Sequence, residues 1–314
     1  MAGQVWGTPS TGGYLSAKNL SSVLRLAVQP MVKFRQFCDV KDASLGGLHK
    51  GALFTWNTYS NVATGGAALT EGSVMPQTNI TIAAATLTIT EYGNSVPYTG
   101  KLDNLSEVPV KELIQKSLKL DCVKTLDSAA YAQFAATPLV FSPLTATDAV
   151  NVALSTTGTT ATINNIAFSL DHLKNIIDTM KERNIPAYVG DDYVAIGRPA
   201  TFRAVKTGME AVFKYTESGF GALLSGEIGR YENMRLVEQT NIASKGWTNA
   251  KSDEIVFLGE DTVAEAVAVA EEIRGKIPAD FGRDMGIAWY YLGGFGLSQT
   301  VAAQARVAKW GSAS

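Results

Sequence analysis

Two histidines (His49 and His172) and two cysteines (Cys38 and Cys122) are the whole stock of imidazole and thiol in this chain. None of them has metal-site spacing: there is no HExxH, no CxxC and no paired histidine. His172 falls on the polar side of an amphipathic pattern and is expected to be solvated, while His49 sits in a polar N-terminal stretch. Two cysteines cannot build a disulfide framework; they are expected to be reduced and buried, with a single bridge as the alternative. The nucleophile-elbow pattern GxSxG is missing. Gly219, Gly221 and Gly226, in the run SGFGALLSGEIG, superficially suggest a phosphate cradle. Gly226 is followed by Glu227, however, and a P-loop needs Lys there for the phosphates and then a hydroxyl for magnesium. Asp191-Asp192 could hold a cation but fits a solvated tight turn better. Glu271-Glu272 reads as a helix surface. Nothing converges on acid–base work. The expectation is therefore no enzyme, with no catalytic residue, no metal and no cofactor.

The elements around these residues must serve some other purpose, and composition narrows it. Hydrophobic residues make up 46% of the 314, enough for a sizeable core, and net charge is only −2. A chain that coats or reads nucleic acid usually carries a strong basic excess. Charged residues are 18%, against roughly a quarter in an ordinary soluble domain. A surface this short of charge is expected to be buried against partner chains. The first residues, MAGQVWGTPSTGG, have neither a basic n-region nor an apolar h-region, so no secretory signal is expected. No apolar run reaches the roughly 18 residues that span a bilayer, and no membrane partner is expected.

Charge is also unevenly placed. Residues 1–50 hold Lys18, Arg25, Lys33, Arg35, Lys41 and Lys50 against Asp39 and Asp42, a local excess of six minus two, or +4. Their Gly/Ser/Thr-rich start reads as an arm. Residues 51–100 contain no Lys or Arg, only Glu71 and Glu91 as acids, and ten threonines. Within them NITIAAATLTIT (79–90) alternates like a strand, with Ile80, Ile82 and Ala84 on one face. Leu87 and Ile89 fall on the other parity, which predicts a bulge, a bend or two strands near 83–86. Gly65, Gly66, Gly72 and Pro76 mark a loop tip. The segment reads as a long β-arm whose charge-poor edge pairs with a neighbouring subunit; a plain internal hairpin is the alternative.

A helix is predicted over 109–136, with Pro109 in its first turn and Thr137-Pro138 as its stop. Its apolar positions (Val110, Ile114, Leu118, Cys122, Leu126, Ala130, Phe134) are all four apart. Each such step overshoots a turn by about 40°, so the stripe winds about two-thirds of the way round. Such a helix meets different partners along its length, like a spine crossing a sheet. Further on, 139–165 suggests strand. Residues 168–184 form an amphipathic helix capped by Ser169 and ended by Asn184 and Pro186. Short strands are expected at 187–189, 193–196 and 234–237, a helix at 199–206 and another at 262–274, then strands at 287–292 and 297–309. Helices and strands do not strictly alternate, so the class is α+β.

Several motifs in order carry a resemblance: AALTEG (67–72), EYGNSVPYT (91–99) before the long helix, NIPAYVGDDYVAIGRPATFRAV (184–205), LSGEIGRYENMRLVEQTNI (224–242) and GRDMGIAWYYLGGFG (282–296). Together they resemble the major capsid proteins of tailed bacteriophages, in the podovirus-type branch with a virion RNA polymerase. The resemblance implies the tailed-phage major capsid fold, which encapsulins share. It maps an N-terminal arm onto 1–50, an extended loop and supporting strands onto 51–100, and a peripheral-domain spine helix onto 101–137. An axial domain falls on 138–254, and a returning peripheral-domain helix and strands on 255–314. It implies an assembly interface at the loop tip, Leu69, Thr70, Glu71 and Gly72. It further implies homo-oligomeric hexamers and pentamers closing an icosahedral shell round non-specifically packaged double-stranded DNA, assembled in the host cytoplasm. Portal, separate scaffolding and cement proteins would be its partners. No scaffolding extension is expected before the arm, and with no lysine in 51–100 the loop cannot donate one to an isopeptide bond, so no cross-linking is expected. The alternatives are an encapsulin-like compartment shell, a tail or decoration protein, and an enzyme or ligand-binding domain. The long helix argues against a tail tube.

Overall fold

The computed structural model describes residues 32–42, 52–59, 65–80, 82–159, 166–213, 230–242, 253–278 and 280–311. His49, most of the N-terminal arm and the glycine-rich 218–229 run lie outside the described residues. Thirteen strands are described, in three sheets, with four α-helices.

The long helix, α2 (Val110–Ala135), spans 26 residues, about 39 Å. Pro109 is its N-cap, one place earlier than expected, where a missing N–H costs nothing. Every member of the winding stripe is buried, and Asp127 with them. The helix lies on a four-stranded sheet ordered β1 (Asp39–Asp42), β11 (Val263–Gly275), β12 (Asp284–Leu297), β4 (Thr90–Thr99). There Trp289 and Tyr291 of β12 join its core. At its far end the ring of Phe34 sits 4.9 Å from Tyr131 and 5.6 Å from Phe134, centroid to centroid. A short helix, α1 (Gly100–Leu105), leads from β4 toward α2, capped by the Thr99 hydroxyl, which accepts from the Leu102 N–H.

A seven-stranded sheet forms the rest. Its order is β6 (Val152–Ser155), β5 (Leu139–Pro143), β13 (Val307–Trp310), β10 (Ile255–Leu258), β7 (Tyr193–Gly197), β9 (Met234–Glu238), β8 (Arg230–Tyr231). Its central strands are buried on both faces. Val194, Ile196, Val256, Leu258 and Val307 face the core of α2. The alternate residues, among them Tyr193, Ala195, Ile255, Phe257 and Trp310, face α3 (Leu170–Glu182) and α4 (Arg203–Phe213). The segment 255–314 is thus divided between the sheets: β10 and β13 complete the seven-stranded one, β11 and β12 the four-stranded one.

Several sequence expectations need correction. Residues 263–275 are strand, not helix. Their Ala and Glu favour helix, but the Val-Ala alternation also has period two, and pairing with β1 and β12 on either side decides the outcome. Glu271 and Glu272 are therefore strand residues. Strand β12 extends well beyond 287–292 at both ends, whereas of 297–309 only Leu297, the end of β12, and the last residues, in β13, are strand. The helix expected at 199–206 begins at Arg203. Residues 187–189 contribute a single bridge, Val189 to Asp192, rather than a strand. Helix α3 stops as expected: Asn184 has φ +55°, and the Asn184 and Ile185 N–H groups close onto the Lys181 and Met180 carbonyls at 2.9 and 3.2 Å.

Candidate functional site

Among the described residues, His172 and Asp192, which could do chemistry, turn out to hold the fold together. His172 is fully buried, contrary to the solvated reading. It occupies the third position of α3, where its ring folds back over the helix start. Its Nδ1 accepts from the Ser169 N–H at 3.2 Å, and Nε2 donates to the Asp148 carbonyl at 3.0 Å. The Ser169 hydroxyl in turn accepts from the His172 N–H at 3.1 Å, a reciprocal cap. Trp310 covers the ring at 4.9 Å between centroids. Burial pulls the His172 pKa below its ordinary value, only partly offset by Asp148. The ring is a neutral structural pin.

Asp192 is buried as well, not solvated. Its cations are the guanidinium groups of Arg230 and Arg235, each with Nε 2.7 Å from a carboxylate oxygen. Cys38 and Cys122 are free thiols, and burial pushes Cys122 up to about 11. Among the described residues no group of three or more His, Cys, Asp or Glu could hold a metal, and no helix is long and apolar enough to cross a membrane.

A buried polar knot that the sequence reading missed ties the N-terminal segment to the body. Arg35 begins a 3₁₀ turn (Arg35–Phe37) just after buried Phe34. Its guanidinium grips Glu265 of β11 at 2.7–3.2 Å and also reaches Glu271. The Tyr291 hydroxyl donates to Glu265 at 2.8 Å, and burial followed by that carboxylate's charge raises the Tyr291 pKa. Asp127 of α2 accepts from the Arg35 N–H at 3.3 Å, from Gln239 at 2.5 Å and from Asn241 at 3.0 Å. The Gln239 side-chain amide oxygen, Oε1, accepts from the Lys33 N–H at 2.9 Å. The available signal was Asp127 itself, a carboxylate one residue past buried Leu126.

The part that reaches out from the body is the β-arm. Strands β2 (Leu53–Tyr59) and β3 (Ile82–Thr88) form a separate antiparallel ribbon in unbroken register from Leu53↔Thr88 to Tyr59↔Ile82. No bulge falls at 83–86; the break comes at Ile89, between β3 and β4. The parity slip instead divides the faces. Ala85 and Leu87 are buried against the body, while Ile82 stays outward and is 57% exposed. The ribbon's base is seated on the glycines of β12. A Cβ on Gly294 would lie 2.3 Å from the Thr88 carbonyl oxygen, and one on Gly296 would lie 3.2 Å from Leu87. Only glycine lets the two backbones approach this closely.

Beyond the ribbon, every residue from 65 to 80 is exposed. The expected tip residues Leu69, Thr70, Glu71 and Gly72 all lie here. The Thr70 carbonyl accepts from the Ser73 N–H at 3.0 Å, and Gly72 takes φ +86°, so a tight turn presents Glu71 outward. Leu69, Val74, Met75 and Ile80 are 60 to 87% exposed with no body beneath them. The hairpin of β11 and β12 ends similarly, in Ile277 and Phe281, both almost wholly exposed. Near the far end of β2, a cleft of about 310 Å³ opens beside Tyr59, between the end of α3 and the loop before β13. Arg183, Pro186, Gln299, Ala303 and Arg306 line it.

No protein-family model matches the chain, and no curated protein does. Solved structures do. The capsid of the cyanophage P-SCSP1u is 12% identical, with 94% of this chain and 92% of that one covered and a TM-score of 0.68. The head of the Helicobacter pylori bacteriophage KHP40 is 12% identical, with 96% of each covered and a TM-score of 0.66. The capsid of a native GTA particle is 13% identical over 98% of this chain and 99% of that one, at 0.63. At such low identity what is shared is the fold, and it is shared over nearly the whole chain: the tailed-phage capsid fold.

Proposed function

We propose that this chain is the major capsid protein of a tailed bacteriophage. It acts structurally, assembling as hexamers and pentamers into an icosahedral shell round double-stranded DNA. One observation carries the reading: the arm is built to leave the body. A ribbon without a single charged residue ends in a loop exposed at every described position, with four large apolar side chains facing solvent. An isolated molecule has no use for such a loop, and its unpaired edges would promote aggregation. Burial on a neighbour turns both liabilities into contact area. The apolar tip of the β11–β12 hairpin supplies another contact of the same kind.

In this reading the four-stranded sheet with α2 is the peripheral domain, and the seven-stranded sheet with α3 and α4 is the axial domain. Leu69, Thr70, Glu71 and Gly72 form the contact of the extended loop. Each contact is modest, and closure of the shell adds them by multivalency. The basic arm lies toward the shell or the DNA, whose packaging is non-specific. Portal, scaffolding and cement proteins are separate chains, and the shell forms in the host cytoplasm. The test is electron microscopy of the protein expressed alone and with its neighbouring gene products, beside gel filtration. Closed particles, or free hexamers and pentamers, are the expected result. A monomer that never assembles under any of these conditions would sink the reading.

A further inference from the structure

We infer that the cleft between the end of α3 and the loop before β13 is the seat for the loop tip of a second copy of this chain, with Glu71 entering between Arg183 and Arg306. The inference rests on the shell reading and names the partner surface of its extended loop.

The tip asks for a particular kind of seat. Glu71 is the only charge between residues 65 and 80, it stands at the outer end of a turn, and it has no partner among the described residues. A lone carboxylate on an apolar loop enters an interface at a net cost unless a cation meets it there. The cleft supplies two. Arg183 spends one N–H on the Ala302 carbonyl at 2.6 Å, and no carboxylate lies on it among the described residues. Arg306 is held loosely, 3.4 Å from Asp261 and 3.4 Å from the Glu260 carbonyl. Both guanidinium groups keep free donors for a carboxylate. Pro186 and Ala303 give an apolar wall for Leu69, and the side-chain amides of Gln299 and Gln304 suit the polar backbone of an incoming turn. A volume of about 310 Å³ accepts two or three side chains, not a folded element.

The chain's own tip does not occupy the cleft, since all of 65–80 is exposed. The occupant therefore comes from another copy. Tip and seat are different surfaces of one chain, so the contact is heterologous, and repeated head to tail with a rotation that closes it gives the ring that the shell reading requires.

The test is a charge exchange combined with a thiol trap. Glu71→Arg and Arg183→Glu should each raise the concentration at which particles form by roughly tenfold or more, because every subunit of the ring loses the same contact. The two together should restore it. Ala303→Trp, which fills the cleft and leaves α3 intact, should act like the single exchanges while the melting temperature stays unchanged. Glu71→Cys with Ala303→Cys should give a ladder of disulfide-linked chains in assembled particles, and Glu71→Cys with Lys116→Cys should not. Normal particles from the single variants, no ladder, or a disulfide closed within one chain each overturn the seat and leave the shell reading standing. Wild-type protein that forms no particle overturns both.

Discussion

At the scale of single residues, His172 and Asp192, which could have signalled a catalyst, are spent on structure. His172 has a consequence for pH. Its two ring nitrogens are both engaged, one as an acceptor from a backbone N–H, so a second proton has no place to go. The unfolded chain takes up that proton near the ordinary histidine pKa of 6.5, and the folded one only at lower pH. Stability is therefore fully present above about pH 6.5 and falls as pH drops from there toward the folded-state pKa. Melting temperatures measured between pH 8 and pH 5 should show this decline, and it should be shallower in His172→Gln. Glu265 makes a second case. It is 1% exposed, and Arg35 is the cation that neutralises it. Arg35→Ala leaves a buried carboxylate unpaired and should cost roughly 2–4 kcal/mol, the lower end reflecting an Arg35 that is itself about one-third exposed. Adding Glu265→Gln should recover part of that loss in a double-mutant cycle by urea unfolding.

At the scale of elements, the winding stripe explains why one helix can serve two sheets. A straight seam would keep α2 against a single partner, whereas this one turns from β12 toward Phe34 and the seven-stranded sheet along its length. The ribbon's attachment depends on a different device, bare backbone against bare backbone. Gly294→Ala places a methyl group 2.3 Å from the Thr88 oxygen, so the ribbon must lift. The expected cost is about 2 kcal/mol, with faster hydrogen exchange confined to β3 and β12. Exchange that quickens uniformly through the protein would count against a local seat.

At the scale of the whole molecule, the shell proposal makes folding and assembly separable, because the described loop residues, 65–80, are all exposed. Tyr59 pairs with Ile82 at the end of the ribbon, so replacing residues 60–81 by Asn-Gly closes a two-residue hairpin there. The shortened protein should keep the melting temperature of the parent and form no particles in sedimentation. A large fall in melting temperature would show that the loop belongs to the monomer's own fold.

The sequence alone determined what local chemistry dictates. The spacing of four from Val110 to Phe134 marked α2 and its buried stripe. Ser169 and Asn184 marked the ends of α3, and the want of charge and the glycines in 51–100 marked an arm with an exposed loop. Tertiary structure decided what depends on distant residues. The Val-Ala alternation of 263–275 fits a helix or a strand, and only β1 and β12, far away in the chain, select the strand. His172 looks solvated by helical phase alone, because the Trp310 ring that covers it arrives from 138 residues on (310 − 172). The grip of Arg35 on Glu265 joins residues 230 apart in sequence. No spacing records such a pairing, since burial of a charge becomes tolerable only once the fold has brought its partner to it.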